Sequence, residues 1–225
     1  MTKKDFIAKI TKPATIFEVG GFKPDDNMLS SWFGKVLVSA QDENWPLSNN
    51  EPMIPLCQLN LSDLPFKPTI LDDIDFITLF IDPENIPSND EPNGNGWCLR
   101  AYKNNDNLVP LQKPDFHSEV KAFQLKPKFV ENDFPCYEDS PVEIPEKYED
   151  EYDELFPNIE GIKIGGWPTL IQGEIFWPDA VDESCTPEFV FQINSIEKAH
   201  WQWGDGGVGY FARAKDDWFF SWQCY

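Results

Sequence analysis

The sequence predicts an α+β fold in which antiparallel β-sheets dominate and helices are few and short. Three observations support this prediction. Twenty prolines are spread along the chain, and proline disfavours long helices. Apolar runs of β-branched and aromatic residues, such as Gly34–Ala40, Met53–Leu61 and Phe76–Asp82, are separated by clusters of Pro, Asn and Asp. Landmark residues also recur along the chain, so we expect two similar tandem halves related by a pseudo-twofold axis.

The N-terminal half is predicted to span residues 1–130 and to begin with a short amphipathic helix. Thr2 and Asp5 have the spacing of a capping box, and the apolar residues that follow recur at helical spacing. The first repeat is predicted at about residues 31–82. Residues 83–96 are rich in Pro, Asn, Gly and Asp, so we expect a loop that makes a mobile surface excursion.

An acidic connecting segment is predicted at residues 131–160, where twelve carboxylates accompany a single lysine, Lys147. A helix is expected over about residues 145–155, with Tyr148 and Tyr152 on the face that packs. Its other face would be a continuous set of carboxylates. The candidate partner-binding residues of this acidic face are Glu143, Glu146, Glu149, Asp150, Glu151, Asp153 and Glu154.

The repeat is most evident in the spacing between glycine and tryptophan. Gly34 is followed eleven residues later by Trp45, and Gly166 is followed eleven residues later by Trp177, with a proline after each tryptophan. Two explanations are open for these glycines: a cradle for a ligand, or a tight turn beside an aromatic plug. We favour the turn, because glycine readily adopts the positive φ angles that tight turns require.

A second landmark of the repeat is the tripeptide Q-[LI]-N, at Gln58–Asn60 in the first half and Gln192–Asn194 in the second. An acidic or glycine-rich turn then leads into an apolar strand in both halves. We therefore assign residues 161–225 to a C-terminal half. We expect the whole chain to form one compact domain, because neither half can bury a one-sided sheet alone.

The formal net charge is −21, from 39 Asp+Glu and 18 Lys+Arg residues. A negative field repels polyanions, so nucleic acid and anionic membranes are disfavoured as partners and a basic protein is favoured. The alternative is that the acidity serves only to keep the protein soluble.

The chain is expected to be cytoplasmic. No apolar run approaches the roughly 20 residues that span a bilayer, and the first residues lack the apolar region of a secretory signal. The cysteines are odd in number and form no C-x-x-C pair, which indicates neither a zinc site nor a disulfide framework. We expect reduced, mostly buried thiols at Cys57, Cys98, Cys136, Cys185 and Cys224.

No catalytic, metal-binding or cofactor-binding residue is assigned from the sequence, and no cofactor is expected. The two histidines, His117 and His200, have no partner at a spacing that selects a catalytic pair. The run Gly204–Gly209 leads into an apolar strand rather than a helix, so a hairpin turn is expected and not a phosphate-binding loop. The carboxylates at 72–75 and 149–154 do not match a calcium loop.

Several segments of the chain, in their order, resemble the YwqG-like family of uncharacterised bacterial proteins, a domain of unknown function. They are Ser31–Gly34, Trp45–Pro46, Cys57–Pro65, Tyr148–Leu155, Lys163–Gly173, Phe191–Ser195 and Trp203–Phe211. The resemblance implies an α+β fold with two similar halves and no established activity. Family members occur near bacterial toxin genes, which implies a role in toxin immunity. The chain departs from the family at Ile162, where a histidine is usual, and at Lys35, where a second glycine is usual.

Two functional hypotheses follow. The first is a cytosolic acidic binding protein of the toxin-immunity type, which binds a basic protein through the acidic face, with the 83–96 loop as a second contact. The alternative is a hydrolase or transferase with a site in the cleft between the two halves. Its candidate residues are Asp205, Trp167, Trp177 and Trp203. The tryptophans would stack on a substrate in that case, whereas in the first they only fill the core and its turns. A third interpretation is a scaffold protein without a defined ligand.

Overall fold

The computed structural model describes residues 2–178 and 186–225. Its strands are β1 (Lys12–Val19), β2 (Trp32–Phe33), β3 (Val38–Ser39), β4 (Leu47–Ser48), β5 (Glu51–Pro52), β6 (Ile54–Asn60), β7 (Phe76–Ile81), β8 (Trp97–Tyr102), β9 (Val109–Pro110), β10 (Phe123–Asp133), β11 (Ile162–Gly165), β12 (Glu188–Asn194), β13 (Val208–Ala214) and β14 (Asp217–Gln223). Its helices are α1 (Lys3–Ile10), α2 (Glu146–Glu149) and α3 (Tyr152–Leu155). The predicted mainly antiparallel β-fold with few, short helices is confirmed.

One sheet of ten strands dominates the described residues, in the order β14-β13-β12-β11-β1-β10-β2-β6-β7-β8. All its neighbouring strands are antiparallel. The order is symmetric about the central pair β1 and β10, since each is followed outwards by one short strand and three longer ones. Two small ribbons, β3–β9 and β4–β5, lie outside this sheet.

One of the two central strands, β1, crosses to the other side of the sheet. β1 comes from the predicted N-terminal half, but it pairs with β11, where Thr15 lies opposite Ile164. β10 pairs instead with β2, where Phe123 lies opposite Phe33. The second side therefore takes a strand from the predicted N-terminal half, which explains how the chain forms a continuous core.

The core lies between the two ends of this sheet, which face each other. Trp97 on β8 packs against Phe211 on β13 and Phe220 on β14, with ring centroids 6.2 and 5.5 Å apart. The 83–96 loop, predicted to be a mobile excursion, is attached to the edge strand. The Asn89 side chain accepts a hydrogen bond from the Trp222 N–H at 3.0 Å, so the loop covers part of the unpaired edge of β14.

Helix α1 begins as predicted, with a complete capping box between Thr2 and Asp5. The acidic helix differs from the prediction, because it is broken into α2 and α3. Glu151 between them has φ −120° and ψ 18°, outside the helical region, so the predicted single helix at 145–155 was wrong in its continuity. The predicted packing face is nevertheless buried, with Tyr148 and Tyr152 packed against Phe6 of α1 and its neighbours.

Two further sequence expectations can be compared with the described residues. The run Gly204–Gly209 does turn into a strand, β13, but it ends a longer connection from β12 instead of forming a tight two-residue hairpin. Free thiols are found at Cys57, Cys98, Cys136 and Cys224, whereas Cys185 lies outside the described residues. Only Cys57 of these four is fully buried. Among the described residues, no helix is both long and apolar enough to cross a bilayer.

Candidate functional site

Glycines at the ends of β2 and β11 turn the chain sharply. Gly34 has φ 70°, and Gly165 and Gly166 have φ 72° and 67°, all in the left-handed region that favours glycine. The pairing registers place Phe33 opposite Cys57 and Ile164 opposite Phe191, so Gly34 corresponds to Gly165 when the two strands are matched.

A buried glutamine holds the chain that follows each turn. Oε1 of Gln58 accepts a hydrogen bond from the Leu37 N–H at 2.7 Å. Oε1 of Gln192 accepts one from the Thr169 N–H at 2.8 Å. Both glutamines are fully buried, so these bonds satisfy polar groups that water cannot reach. The strands also carry a register shift in the same place, two residues before each glutamine, at Leu56 in β6 and Val190 in β12.

A buried ion pair holds the second turn, Gly165–Gly166, in place. Nζ of Lys163 lies 2.9 Å from Oδ2 of Asp133, and both side chains are fully buried. Asp133 also accepts hydrogen bonds from the N–H groups of Trp167 at 2.7 Å and Ile159 at 2.9 Å. Burial lowers the pKa of the Lys163 amine, and the attraction of Asp133 opposes that effect. The carboxylate thereby ties β10, β11 and the Gly165–Gly166 turn together.

A cavity of about 370 Å³ opens beside this second turn. Gly165 and Gly166 form part of its wall, as do the apolar side chains of Phe66, Leu170 and Phe189. The wall also includes indole rings and charged groups that come from β1, the acidic segment, the chain between β11 and β12, and the first residue of β12. They are Lys12, Asp139, Trp167, Glu174, Trp177 and Glu188.

The charged groups of the cavity interact with one another. Nζ of Lys12 lies 3.4 Å from the centroid of the Trp167 ring, a cation–π contact. Burial lowers the pKa of Lys12, while Asp139 and Glu188 raise it. Burial raises the pKa of Asp139, against the effect of Lys12, and Glu174 adds to the rise. The cavity wall thus includes three carboxylates and one ammonium group, which lies on an aromatic face.

The acidic face has the exposure that was predicted. All seven of its carboxylates are exposed, at Glu143, Glu146, Glu149, Asp150, Glu151, Asp153 and Glu154. An open depression of about 390 Å³ lies at its margin, lined by Val142 and Ile144 together with Glu143 and Glu149. Tyr137, which is 41% exposed, also lines it, with Ser140 and Pro141. The structure therefore combines the exposed carboxylates with a depression whose wall is partly polar and partly apolar.

A family model described as a domain of unknown function, DUF1963, matches residues 33–219. The chain belongs to the DUF1963 family. No curated protein matches the chain. The DUF1963 match contains both glycine turns and both buried glutamines, whereas α1 and β1 precede it.

The residues proposed for a cleft in the DUF1963 domain do not all lie together. Trp167 and Trp177 line the cavity, where Trp177 also packs against the buried group of Ala212, Ala214 and Phe219. Trp203 is fully buried in the core, and its ring packs at 5.0 Å from that of Trp201. Asp205 is exposed in a turn, where its backbone carbonyl accepts a hydrogen bond from the Tyr225 N–H.

The histidines of the DUF1963 domain lie in exposed positions. His117 contacts Glu119 at 2.7 Å, and His200 ends a short 3-10 turn with φ 55°. Of the Asp72–Asp75 carboxylates, Asp73 binds the guanidinium of Arg213 through two hydrogen bonds of 2.6 and 2.9 Å. No group of three or more His, Cys, Asp or Glu residues in the described part of the chain is arranged to hold a metal ion.

Sequence reasoning missed most of the charged cavity wall of the DUF1963 domain. Lys12 and Asp139 lie far from the glycine turn in sequence, and Glu188 follows it by more than twenty residues. A signal was available for the buried pair, because Lys163 is the one charged residue in the apolar run Ile162–Gly165. A lysine inside a buried strand requires a carboxylate partner, and such a partner is a reason to examine the surrounding turn.

Proposed function

We propose that this DUF1963 domain is a binding protein that docks a basic protein partner on its acidic face. The observation that carries the proposal is the exposure of seven carboxylates beside a depression to which Tyr137, Val142 and Ile144 contribute apolar surface. Carboxylates alone would give weak, salt-sensitive association. In the depression, the stem of an arginine or lysine side chain can pack on Val142 and Ile144 while its charge meets Glu143 or Glu149.

The base of the acidic face supports this role. Phe6, Tyr148, Tyr152 and Phe156 form one aromatic cluster, in which the rings of Phe6 and Phe156 meet at 5.3 Å. A face held by packed aromatic rings loses little conformational entropy when a partner binds. The surrounding charge would accelerate encounter with a basic partner, and contacts in the depression would slow its release.

Charge-reversal variants test the proposal. We expect the Glu146→Lys, Glu149→Lys, Glu154→Lys triple variant to lose the basic proteins that wild type retains from lysate at low salt. The matched control reverses three exposed carboxylates elsewhere, with Asp42→Lys, Glu51→Lys and Asp106→Lys, and gives the same change in net charge. Retention by wild type should weaken as salt increases. If the two variants lost these basic proteins equally, retention would depend on net charge alone and not on the acidic face, which would overturn the proposal.

We further propose that the domain is built from two similar halves, as the YwqG-like resemblance implies. The symmetric strand order, the matched register shifts at Leu56 and Val190, and the shared roles of Gln58 and Gln192 support this proposal. We also propose a cytoplasmic location, supported by the free thiols among the described residues. A toxin as the basic partner rests on the family resemblance alone.

The enzymatic alternative ranks second. A hydrolase or transferase site between the halves would use Asp205 with Trp167, Trp177 and Trp203. Only Trp167 and Trp177 line the cavity beside the second glycine turn, whereas Trp203 is in the core. The residues proposed for binding are thus exposed together, whereas those proposed for catalysis are not brought into one site.

A further inference from the structure

In the cavity beside the Gly165–Gly166 turn, a cationic side chain of the protein itself, Lys12, lies on an aromatic ring. The Lys12 ammonium lies on the face of the Trp167 ring, 3.4 Å from its centroid. Asp139 and Glu188 attract the same ammonium group. An aromatic face combined with carboxylates is the arrangement by which proteins recognise organic cations. Lys12 is exposed at the surface, so its side chain has room to leave this position when another cation takes its place.

We propose that this cavity binds a small organic cation, in which an amine or guanidinium group is attached to a compact apolar body. The cation would lie between the Trp167 ring and the carboxylates, where Lys12 now lies. The apolar body would contact Phe66, Leu170 and Phe189. The volume of about 370 Å³ lies within the range of small-molecule sites, which favours a free ligand over a protein partner.

The charges of the wall distinguish this ligand class from others. Asp139, Glu174 and Glu188 outnumber Lys12, so an anionic ligand would be repelled at the same place where a cation is attracted. A neutral sugar could stack on the tryptophans, but it carries no charge to replace that of the Lys12 ammonium group, so displacing Lys12 would add little to its affinity. The site also contains none of the seven carboxylates of the acidic face, so it goes beyond the proposed docking function.

Phenethylamine and its neutral analogue 2-phenylethanol are suitable probes, because they share an aromatic body and differ in charge. We expect saturable binding of one phenethylamine per chain in isothermal titration calorimetry at pH 7. The neutral alcohol should bind at least roughly tenfold more weakly, since it loses a charge-assisted hydrogen bond. Equal affinity for the two probes, or no saturable binding of phenethylamine, would overturn the proposal.

Substitutions in the wall localise the binding. Glu188→Gln and Glu174→Gln should each weaken phenethylamine binding by several-fold up to roughly tenfold. Glu138→Gln is the matched control, because Glu138 is exposed and adjacent to Asp139 but does not line the cavity. If Glu138→Gln weakens binding as much as the wall variants do, the effect is one of general charge and the assigned site is wrong.

Lys12→Met provides a test of opposite sign. Methionine keeps the apolar stem and removes the competing ammonium group, so we expect tighter phenethylamine binding than in wild type. A site for anions or for sugars that bond to Lys12 would instead bind its ligand more weakly in this variant. Weaker phenethylamine binding by a Lys12→Met protein with unchanged thermal unfolding would contradict the proposed mode. Reversal of the acidic face should leave this affinity nearly unchanged, so the two proposals can fail separately.

Discussion

The Gly34 turn and the Gly165–Gly166 turn occupy matching places on the two sides of the sheet, but they are enclosed differently. A Cβ at Gly34 would meet the backbone carbonyl oxygen of Lys121 at 2.5 Å. A Cβ at Gly165 would meet the side chain of Phe66 at 2.8 Å. Backbone covers the first turn and side chains surround the second. Because side chains can move or be exchanged without changing the fold, the second turn can border a cavity such as the one beside Gly165 and Gly166.

The strands that lead into the two turns also differ. Trp32 of β2 lies opposite Gln58 of β6, and Lys163 of β11 lies opposite Gln192 of β12. The position opposite the glutamine is thus an aromatic ring, Trp32, on the first side. On the second side it is a buried ammonium group, Lys163, which needs Asp133 as its partner. A buried ion pair contributes little net stability compared with apolar residues of similar volume. Here the pair also fixes the Trp167 backbone, which positions an indole ring at the cavity.

The largest expected effect comes from removing the Asp133 carboxylate. Asp133→Ala would leave the Lys163 ammonium buried without a partner, and the N–H groups of Trp167 and Ile159 would lose their acceptor. We expect the free energy of unfolding to fall by about 3–5 kcal/mol. Urea unfolding followed by tryptophan fluorescence measures this change.

Trp32→Phe, at the position matching Lys163, serves as the control for this variant. Nε1 of Trp32 has no hydrogen-bond partner within the described ranges, so the substitution removes part of a ring and no buried hydrogen bond. Its cost should be clearly smaller than that of Asp133→Ala. A larger cost for Trp32→Phe would mean that the ion pair is not the main support of the second turn.

The next largest effect tests whether the glutamines are equivalent. Gln58→Leu and Gln192→Leu each leave a buried backbone N–H without its acceptor, at Leu37 and Thr169 respectively. Each should lower the free energy of unfolding by about 1–3 kcal/mol, and by similar amounts. Gln112→Leu, at an exposed residue, should have little effect in the same urea titrations. A large difference between the two buried glutamines would argue against a shared role.

Strands with continuous apolar character could be predicted from the sequence, as β6, β7, β12 and β13 illustrate. The central strand β10 could not, because Phe123–Asp133 contains charged residues and Pro127 and is exposed along much of its length. β10 is central in the sheet order, yet one face of it meets solvent, which antiparallel sheets allow. The crossing of β1 to the second side of the sheet is likewise a property of long-range pairing, which no local pattern records.

The two glycine turns could be predicted from the sequence, since positive φ angles have a local sequence cause. The spacing to tryptophan matched Gly34 with Gly166, however, whereas the strand registers match it with Gly165. The cavity could be predicted only in part, through Trp167 and Trp177. Its charged wall depends on which distant segments fold against the turn. Lys12 reaches it because β1 crosses to the second side of the sheet, and Asp139 reaches it from the acidic segment.

The smallest expected effect concerns a third difference between the two sides. Arg213 lies at the position of β13 that matches Ile81 on β7, and its guanidinium binds Asp73 from the first side. The Arg213 hydrogen bonds lower the pKa of Asp73 below its ordinary value of 3.8. The ionised carboxylate therefore contributes stability above pH 3.8, and this contribution is lost as the pH falls through the lowered pKa.

Asp73→Asn should consequently cost less than about 1 kcal/mol at neutral pH, because the Asp73 side chain is 44% exposed and solvent screens the pair. The difference in unfolding free energy between wild type and Asp73→Asn should shrink as the pH is lowered below 3.8, where the wild-type carboxyl becomes protonated. Asp72→Asn, at the neighbouring exposed residue outside the Arg213 contact, controls for the change in net charge. A difference that stays constant down to pH 2 would show that Asp73 stabilises the fold through something other than its ionised contact with Arg213. The link between the two sides would then depend on the hydrogen bond from Arg213 to the Ile70 carbonyl, which is 2.6 Å long and does not titrate.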